Sequence, residues 1–162
     1  MIKQDCAIKK VKPHNPKYYD FYMSIAQSAA NESVAVKRKV GAAIILPSGL
    51  IATGWNGMPA GFNNVCEWQC EDAKGYDTGR TKPEVIHAER NALDKLCREG
   101  VSPEGAILFT TTAPCIECAK SIAAVGIVSV IFETKFTSDA GIDFLIKSGI
   151  KVESFFFFKT HQ

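Results

Sequence analysis

Ala106-Ile107-Leu108-Phe109-Thr110-Thr111-Thr112-Ala113-Pro114-Cys115-Ile116-Glu117-Cys118 decides how this chain folds. The run to Thr112 reads as a strand rich in apolar and β-branched residues. Ala113-Pro114 turns it into a helix, because proline cannot extend a central strand but suits a first helical turn. Gly126 ends that helix, and Val128–Glu133 reads as the next strand. A strand that feeds a helix and then another strand is the repeating unit of an α/β sheet.

Working outward, Asn15-Pro16 has the form of an N-cap and first helical residue, predicting a helix to about Ala30. Tyr18, Tyr22, Ile25, Ala26 and Ala29 would form its inward face. Val40–Leu46 and Leu50–Trp55 read as a hairpin across Pro47-Ser48-Gly49. A long irregular stretch from Gly57 to Ile86 follows, and loops of that length are usually functional or disordered. His87 opens a helix to about Arg98, Ser138–Ser148 gives a further helix, and Lys151 to about Phe158 a last strand. The order α-β-β-α-β-α-β-α-β implies an α/β fold, a three-layer α/β/α sandwich on a mixed five-stranded sheet. No repeat or linker interrupts it, so residues 1–162 read as a single domain.

Bulk composition narrows the class. Hydrophobic residues at 46% and charged residues at 22% are ordinary for a globular chain and argue against disorder. A net charge of +2 does not mark a nucleic-acid-coating surface, so no nucleic-acid partner is expected. Met1-Ile2-Lys3-Gln4-Asp5 lacks the apolar stretch of a signal peptide, and no run approaches a membrane span. The six cysteines then read better as thiols or metal ligands than as disulfides, pointing to the cytoplasm, or a host cytoplasm for a viral chain.

The chemistry lies in His87-Ala88-Glu89 and Pro114-Cys115-Ile116-Glu117-Cys118. His87, Cys115 and Cys118 are three good zinc ligands, and Glu89 is a free carboxylate. Three protein ligands leave a fourth position for water, whose pKa the metal lowers to about 7. His87 and Cys115 fall at expected helix N-termini, and Cys118, three residues on, shares a helix face with Cys115. The positive end of the helix dipole favours thiolate, the form zinc binds. A thioredoxin-like pair would not require H-x-E, and a structural zinc knot would want a second C-x-x-C.

H-x-E followed by P-C-x-x-C resembles the zinc nucleobase deaminases. Further residues sharpen the likeness: His87-Ala88-Glu89-Arg90-Asn91-Ala92-Leu93, Pro114-Cys115-Ile116-Glu117-Cys118-Ala119-Lys120 and Gly54-Trp55-Asn56-Gly57-Met58-Pro59-Ala60-Gly61 resemble the deoxycytidylate (dCMP) deaminase family, as does Val40-Gly41-Ala42. The match runs in order from about Ser33 to Glu133. It implies a cytidine deaminase-like fold and the reaction dCMP + water → dUMP + ammonia, feeding thymidylate synthesis. It also implies Zn2+, a homo-oligomer (a hexamer), and dCTP and dTTP effectors acting with Mg2+. By the same resemblance Glu89 moves the protons, while Asn56 and Ala88 meet the substrate. Asn-Gly is equally a turn dipeptide. Lys37 and Arg38 are candidates for the phosphate, since arginine binds it bidentately, although a charge run before a strand is often a solvated edge. Arg98 is a second candidate for that phosphate or for a regulatory triphosphate. The rival readings are a deaminase of modified dCMP, of a free nucleoside or of a tRNA adenosine, and a zinc-stabilised binding module without catalysis.

Two departures stand out: Arg90 where relatives commonly carry an apolar residue, and Ala113 where a serine or another side chain often precedes Pro-Cys. Cys66 and Cys70 are either ligands of a second zinc, with His14 as a third, or thiols packed against Trp68. Phe155-Phe156-Phe157-Phe158, read as strand, would need cover on both faces, from a helix and from a neighbouring subunit.

Overall fold

The computed structural model describes residues 15–68 and 79–156. The elements run α1 (Tyr19–Asn31), β1 (Gly41–Ile45), β2 (Ile51–Trp55), α2 (Ala88–Arg98), β3 (Ile107–Thr112), α3 (Ile116–Ala124), β4 (Ser129–Thr134), α4 (Ala140–Lys147) and β5 (Lys151–Ser154). They form the expected mixed five-stranded sheet, in the order β2-β1-β3-β4-β5. β1 is antiparallel to both β2 and β3, whereas β3, β4 and β5 are mutually parallel.

Strand alternation sorts the core into two layers. Ala42, Ile44, Leu108 and Val130 face one side and pack with Ala92, Leu96, Ala119, Ile122 and Leu145 of α2, α3 and α4. Ala43, Ile45, Ile107, Phe109 and Ile131 face the other side, under Tyr19, Tyr22, Met23 and Ala26 of α1. The three-layer sandwich follows directly.

Local differences from the sequence reading have identifiable causes. Asn15 does cap, accepting from Lys17 N–H at 3.1 Å, but it caps a 3-10 turn over Pro16–Tyr18 that precedes α1. That turn rotates the buried stripe to Tyr19, Tyr22, Met23, Ala26, Ala29 and Ala30, leaving Tyr18 exposed. The described parts of the Gly57–Ile86 stretch, residues 57–68 and 79–86, are more ordered than an irregular loop: Gly57 pairs with Ile86 and Glu67 with Thr81. We refer to these two described parts as the arm.

The expected strand to Phe158 is the main correction. β5 stops at Ser154, and Phe155 and Phe156 are helical. The turn separates adjacent rings: Phe155 is buried in the α1 layer and Phe156 is 58% exposed. Phe157 and Phe158 lie outside the described residues. Phe155→Leu should therefore lower stability by about 1 kcal/mol, while Phe156→Leu should stay within about 0.5 kcal/mol. Urea unfolding monitored by circular dichroism separates the two, and equal losses would contradict the burial pattern.

Candidate metal centre and its cavity

Strand directions assemble the site at one edge of the sheet. The carboxyl ends of the parallel strands β3 and β4 lie side by side, and antiparallel pairing brings the start of β1 and the end of β2 to the same edge. Ligands collect beyond such carboxyl ends in open α/β sheets. Here the loops enclose a cavity of about 450 Å³ whose lining includes Lys37, Arg38, Asn56, Glu67, His87, Ala88, Glu89, Cys115 and Phe136.

His87 and Cys115 are the N-cap residues of α2 and α3, both in extended backbone, and neither side chain caps its own helix. Their side chains are thus available to each other. Cys118, in the first turn of α3, joins them: both sulfurs lie 3.4 Å from His87 Nδ1. All three ligand atoms fall within 4.8 Å of one another. Tetrahedral zinc, with Zn–S of about 2.3 Å and Zn–N of about 2.0 Å, separates N from S by about 3.5 Å. The donor set and its spacing fit zinc, with the fourth position left to the cavity. No other group of three or more His, Cys, Asp or Glu ligands occurs among the described residues.

Electrostatics divides the two thiols. Hydrogen bonding from Cys118, and next from His87, pushes Cys115 down to about 3. Cys118 is pushed up, first by its bond to Cys115 and then by burial. His87 is raised by its bond to Cys115, against the effect of burial. A divalent cation favours thiolate at both positions. Glu89, in the first turn of α2, is only 4% exposed, and burial raises its carboxyl.

Two glycines bring the ligand-bearing helices close enough. A Cβ at Gly54 of β2 would fall on Ala88 O, at the start of α2. A Cβ at Gly141 of α4 would fall on Pro114 O, and 2.9 Å from the Cys115 carbonyl carbon. Neither role shows in the sequence motif, because it depends on contact between distant elements.

The cavity brings together His87, Glu89, Cys115, Asn56, Ala88, Lys37 and Arg38. Asn56 is largely occupied by protein: its Oδ1 accepts from Val40 N–H and the Ser33 hydroxyl, each at 2.8 Å, and its Nδ2 donates to Arg38 O at 2.9 Å. Ala88 lines the cavity but is fully buried. Arg98, exposed in the last turn of α2, is about 16 Å along the helix from His87 and is not in the cavity lining. Arg90 pairs with Asp94 at 2.9 Å and reaches Ser121 Oγ of α3 at 3.3 Å, which accounts for a polar residue there. Ala113 is a buried part of the cavity wall.

Cys66 is buried with Ala35, Val85 and Met58, while Trp68 stands exposed with Lys82 Nζ 5.4 Å over its ring. Burial raises the Cys66 thiol, as an apolar packing role would. Cys70 and His14 lie outside the described residues. Sequence reasoning missed Glu67, Phe136 and Thr137. The last two follow β4 directly, and the rule that ligands gather beyond parallel strand ends could have found them.

Comparison with known proteins carries the same pattern. The cytidine and deoxycytidylate deaminase zinc-binding region matches residues 16–134. A deoxycytidylate deaminase of Schizosaccharomyces pombe is 31% identical over 144 residues, covering 86% of this chain and 44% of the relative. The chain thus spans less than half the length of that relative. A deoxycytidylate deaminase of Mycobacterium phage D29 is 35% identical over 123 residues, covering 72% of this chain and 94% of the relative. The crystal structure of the cyanophage S-TIM5 dCMP deaminase, in complex with dCMP and dUMP, superposes with a TM-score of 0.77 at 37% identity, covering 86% of this chain and 98% of that one. No helix among the described residues is long and apolar enough to cross a membrane. With the profile match spanning both zinc motifs, the chain belongs to the cytidine and deoxycytidylate deaminase zinc-binding family.

Proposed function

We propose that the chain is a zinc-dependent hydrolase that converts dCMP and water to dUMP and ammonia. The observation that carries this reading is the pairing, in one cavity, of a three-ligand cluster with a buried non-ligand carboxylate and a rim bearing Lys37 and Arg38. A structural zinc site has no use for a carboxylate buried beside it, which disfavours a binding module.

Zinc held by His87, Cys115 and Cys118 would supply an acidified water at the open position. The chain's own residues do the rest. Glu89, buried and close to the ligands, takes the proton that the water releases. It delivers that proton to N3 of the cytosine ring, then carries the water's second proton from the oxygen newly bonded to C4 to the departing amine. Oxygen replaces nitrogen at C4, and ammonia leaves. Asn56 keeps one amide N–H beyond its bond to Arg38 O, and this is the group it can offer the deoxyribose. Arg38, whose guanidinium carbon lies 5.9 Å from the Phe136 ring centroid, and Lys37 receive the phosphate.

The wider proposal rests on the resemblance to dCMP deaminases: one domain over residues 1–162, a hexamer in the cytoplasm or a host's cytoplasm, and dCTP and dTTP effectors with Mg2+. The test is ammonia release by the purified chain given dCMP, dCTP, deoxycytidine, cytidine, CMP or a tRNA anticodon stem. Release from dCMP alone is expected at ordinary enzyme concentration, deoxycytidine reacting only when the enzyme is in large amount. Release from none of them, or from the tRNA stem in place of dCMP, would refute the proposal.

A further inference from the structure

The segment that carries Lys37 and Arg38 has no regular secondary structure, yet it is held from two sides. From the sheet side Asn56 accepts from Val40 N–H and donates to Arg38 O. From the arm side one carboxylate oxygen, Glu67 Oε1, accepts from two consecutive backbone groups, Val36 N–H at 3.0 Å and Lys37 N–H at 3.1 Å. Consecutive N–H groups that converge on one anion form a nest, and charge-assisted bonds of this kind are about twice as strong as neutral ones.

Glu67 is only 7% exposed, although it sits in a surface excursion of the chain. The arm is braced to present it: Glu67 bridges Thr81, Trp68 N–H donates to Arg80 O, and Lys82 N–H donates to Cys66 O. Cys66 anchors this ladder in its cluster with Ala35 and Val85. Glu67 also forms part of the cavity wall. A carboxylate facing a phosphate would repel it. This one turns Oε1 to two N–H groups of the loop and so fixes the shape of the segment that carries Lys37 and Arg38.

We propose that Glu67 is a positioning residue that sets Lys37 and Arg38 for the substrate's phosphate monoester and links the order of the arm to nucleotide recognition. This rests on the reading that Lys37 and Arg38 receive the phosphate. Glu67 touches neither the reacting carbon nor the metal ligands, so its loss should be felt in binding of the nucleotide and not in the chemistry.

The experiment is steady-state kinetics of the zinc-loaded full chain on dCMP and, at high enzyme concentration, on deoxycytidine, for wild type, Glu67→Ala, Glu67→Gln, Lys37→Ala and Arg38→Ala. Glu67→Ala is expected to raise the KM for dCMP about tenfold, leaving kcat and the deoxycytidine rate within about twofold. Glu67→Gln keeps an oxygen acceptor without its charge, so it should recover part of the loss and also covers a poorly folding alanine variant. Equal losses on dCMP and deoxycytidine, or no loss on either, would overturn the positioning role. If Lys37→Ala and Arg38→Ala both leave the preference for dCMP intact, the phosphate assignment itself fails, and that result does not depend on either Glu67 variant.

Discussion

Glu89→Gln is expected to lower kcat for dCMP by about four orders of magnitude while each chain keeps its zinc. The magnitude is the upper end of what a positioned proton-transfer group contributes. Both halves follow from geometry. The ligand cluster is His87, Cys115 and Cys118, so an isosteric amide at position 89 removes no metal donor. Glu89 is 4% exposed, and solvent has poor access to replace it as a proton carrier. Glutamine fills the same volume and preserves the packing of α2, but it cannot accept a proton. Metal analysis alongside an ammonia assay checks the two halves together. A variant with full zinc and a near-normal rate would remove Glu89 from the proposed mechanism, and one that lost its zinc would show that the carboxylate supports the ligands instead.

The sheet and the clustering of His87, Cys115 and Cys118 were legible in the sequence because both depend on local pattern. The strand at Ala106–Thr112, broken by Ala113-Pro114, states where the sheet ends and α3 begins. His87 and Cys115 stand at helix starts because each closes a strand-to-helix or arm-to-helix turn. Features that arise from contact between distant segments were not legible. The role of Asn56 is an example: the motif singles it out, but only the fold shows that Ser33, Arg38 and Val40 occupy most of its amide. Glu67 was passed over because a lone glutamate between Cys66 and Trp68 has no signature until the arm folds against Val36 and Lys37. The Phe155–Phe158 run misled for a different reason. Aromatic composition favours strand, but the backbone turns helical after Ser154, with Phe155 in the α1 layer and Phe156 exposed.

Gly141→Ala is expected to cost about 3 kcal/mol or more and to strip zinc from the folded fraction, although Gly141 is no ligand. The methyl group would meet Pro114 O, a backbone atom in the turn that sets Cys115 at the cap of α3. Side chains can rotate away from an intruding methyl group, but this turn cannot, because Ala113 N–H is bonded to Thr134 O at 2.8 Å and Ala119 N–H to Cys115 O at 2.9 Å. Relief must come from moving α4 outward or the Pro114-Cys115 turn inward, and the second movement shifts one sulfur against a site that tolerates only tenths of an ångström. Gly54→Ala makes the same intrusion from the opposite wall, against Ala88 O and so against the helix that carries His87 and Glu89. A glycine with open space around its would-be Cβ supplies the control: Gly57→Ala should hold its zinc and most of its stability. Thermal unfolding with and without added zinc, together with zinc content after dialysis, distinguishes the cases. If Gly141→Ala and Gly54→Ala melted like wild type and retained zinc, the two helices would have slack against the sheet. The placement of the ligands would then owe little to these close contacts.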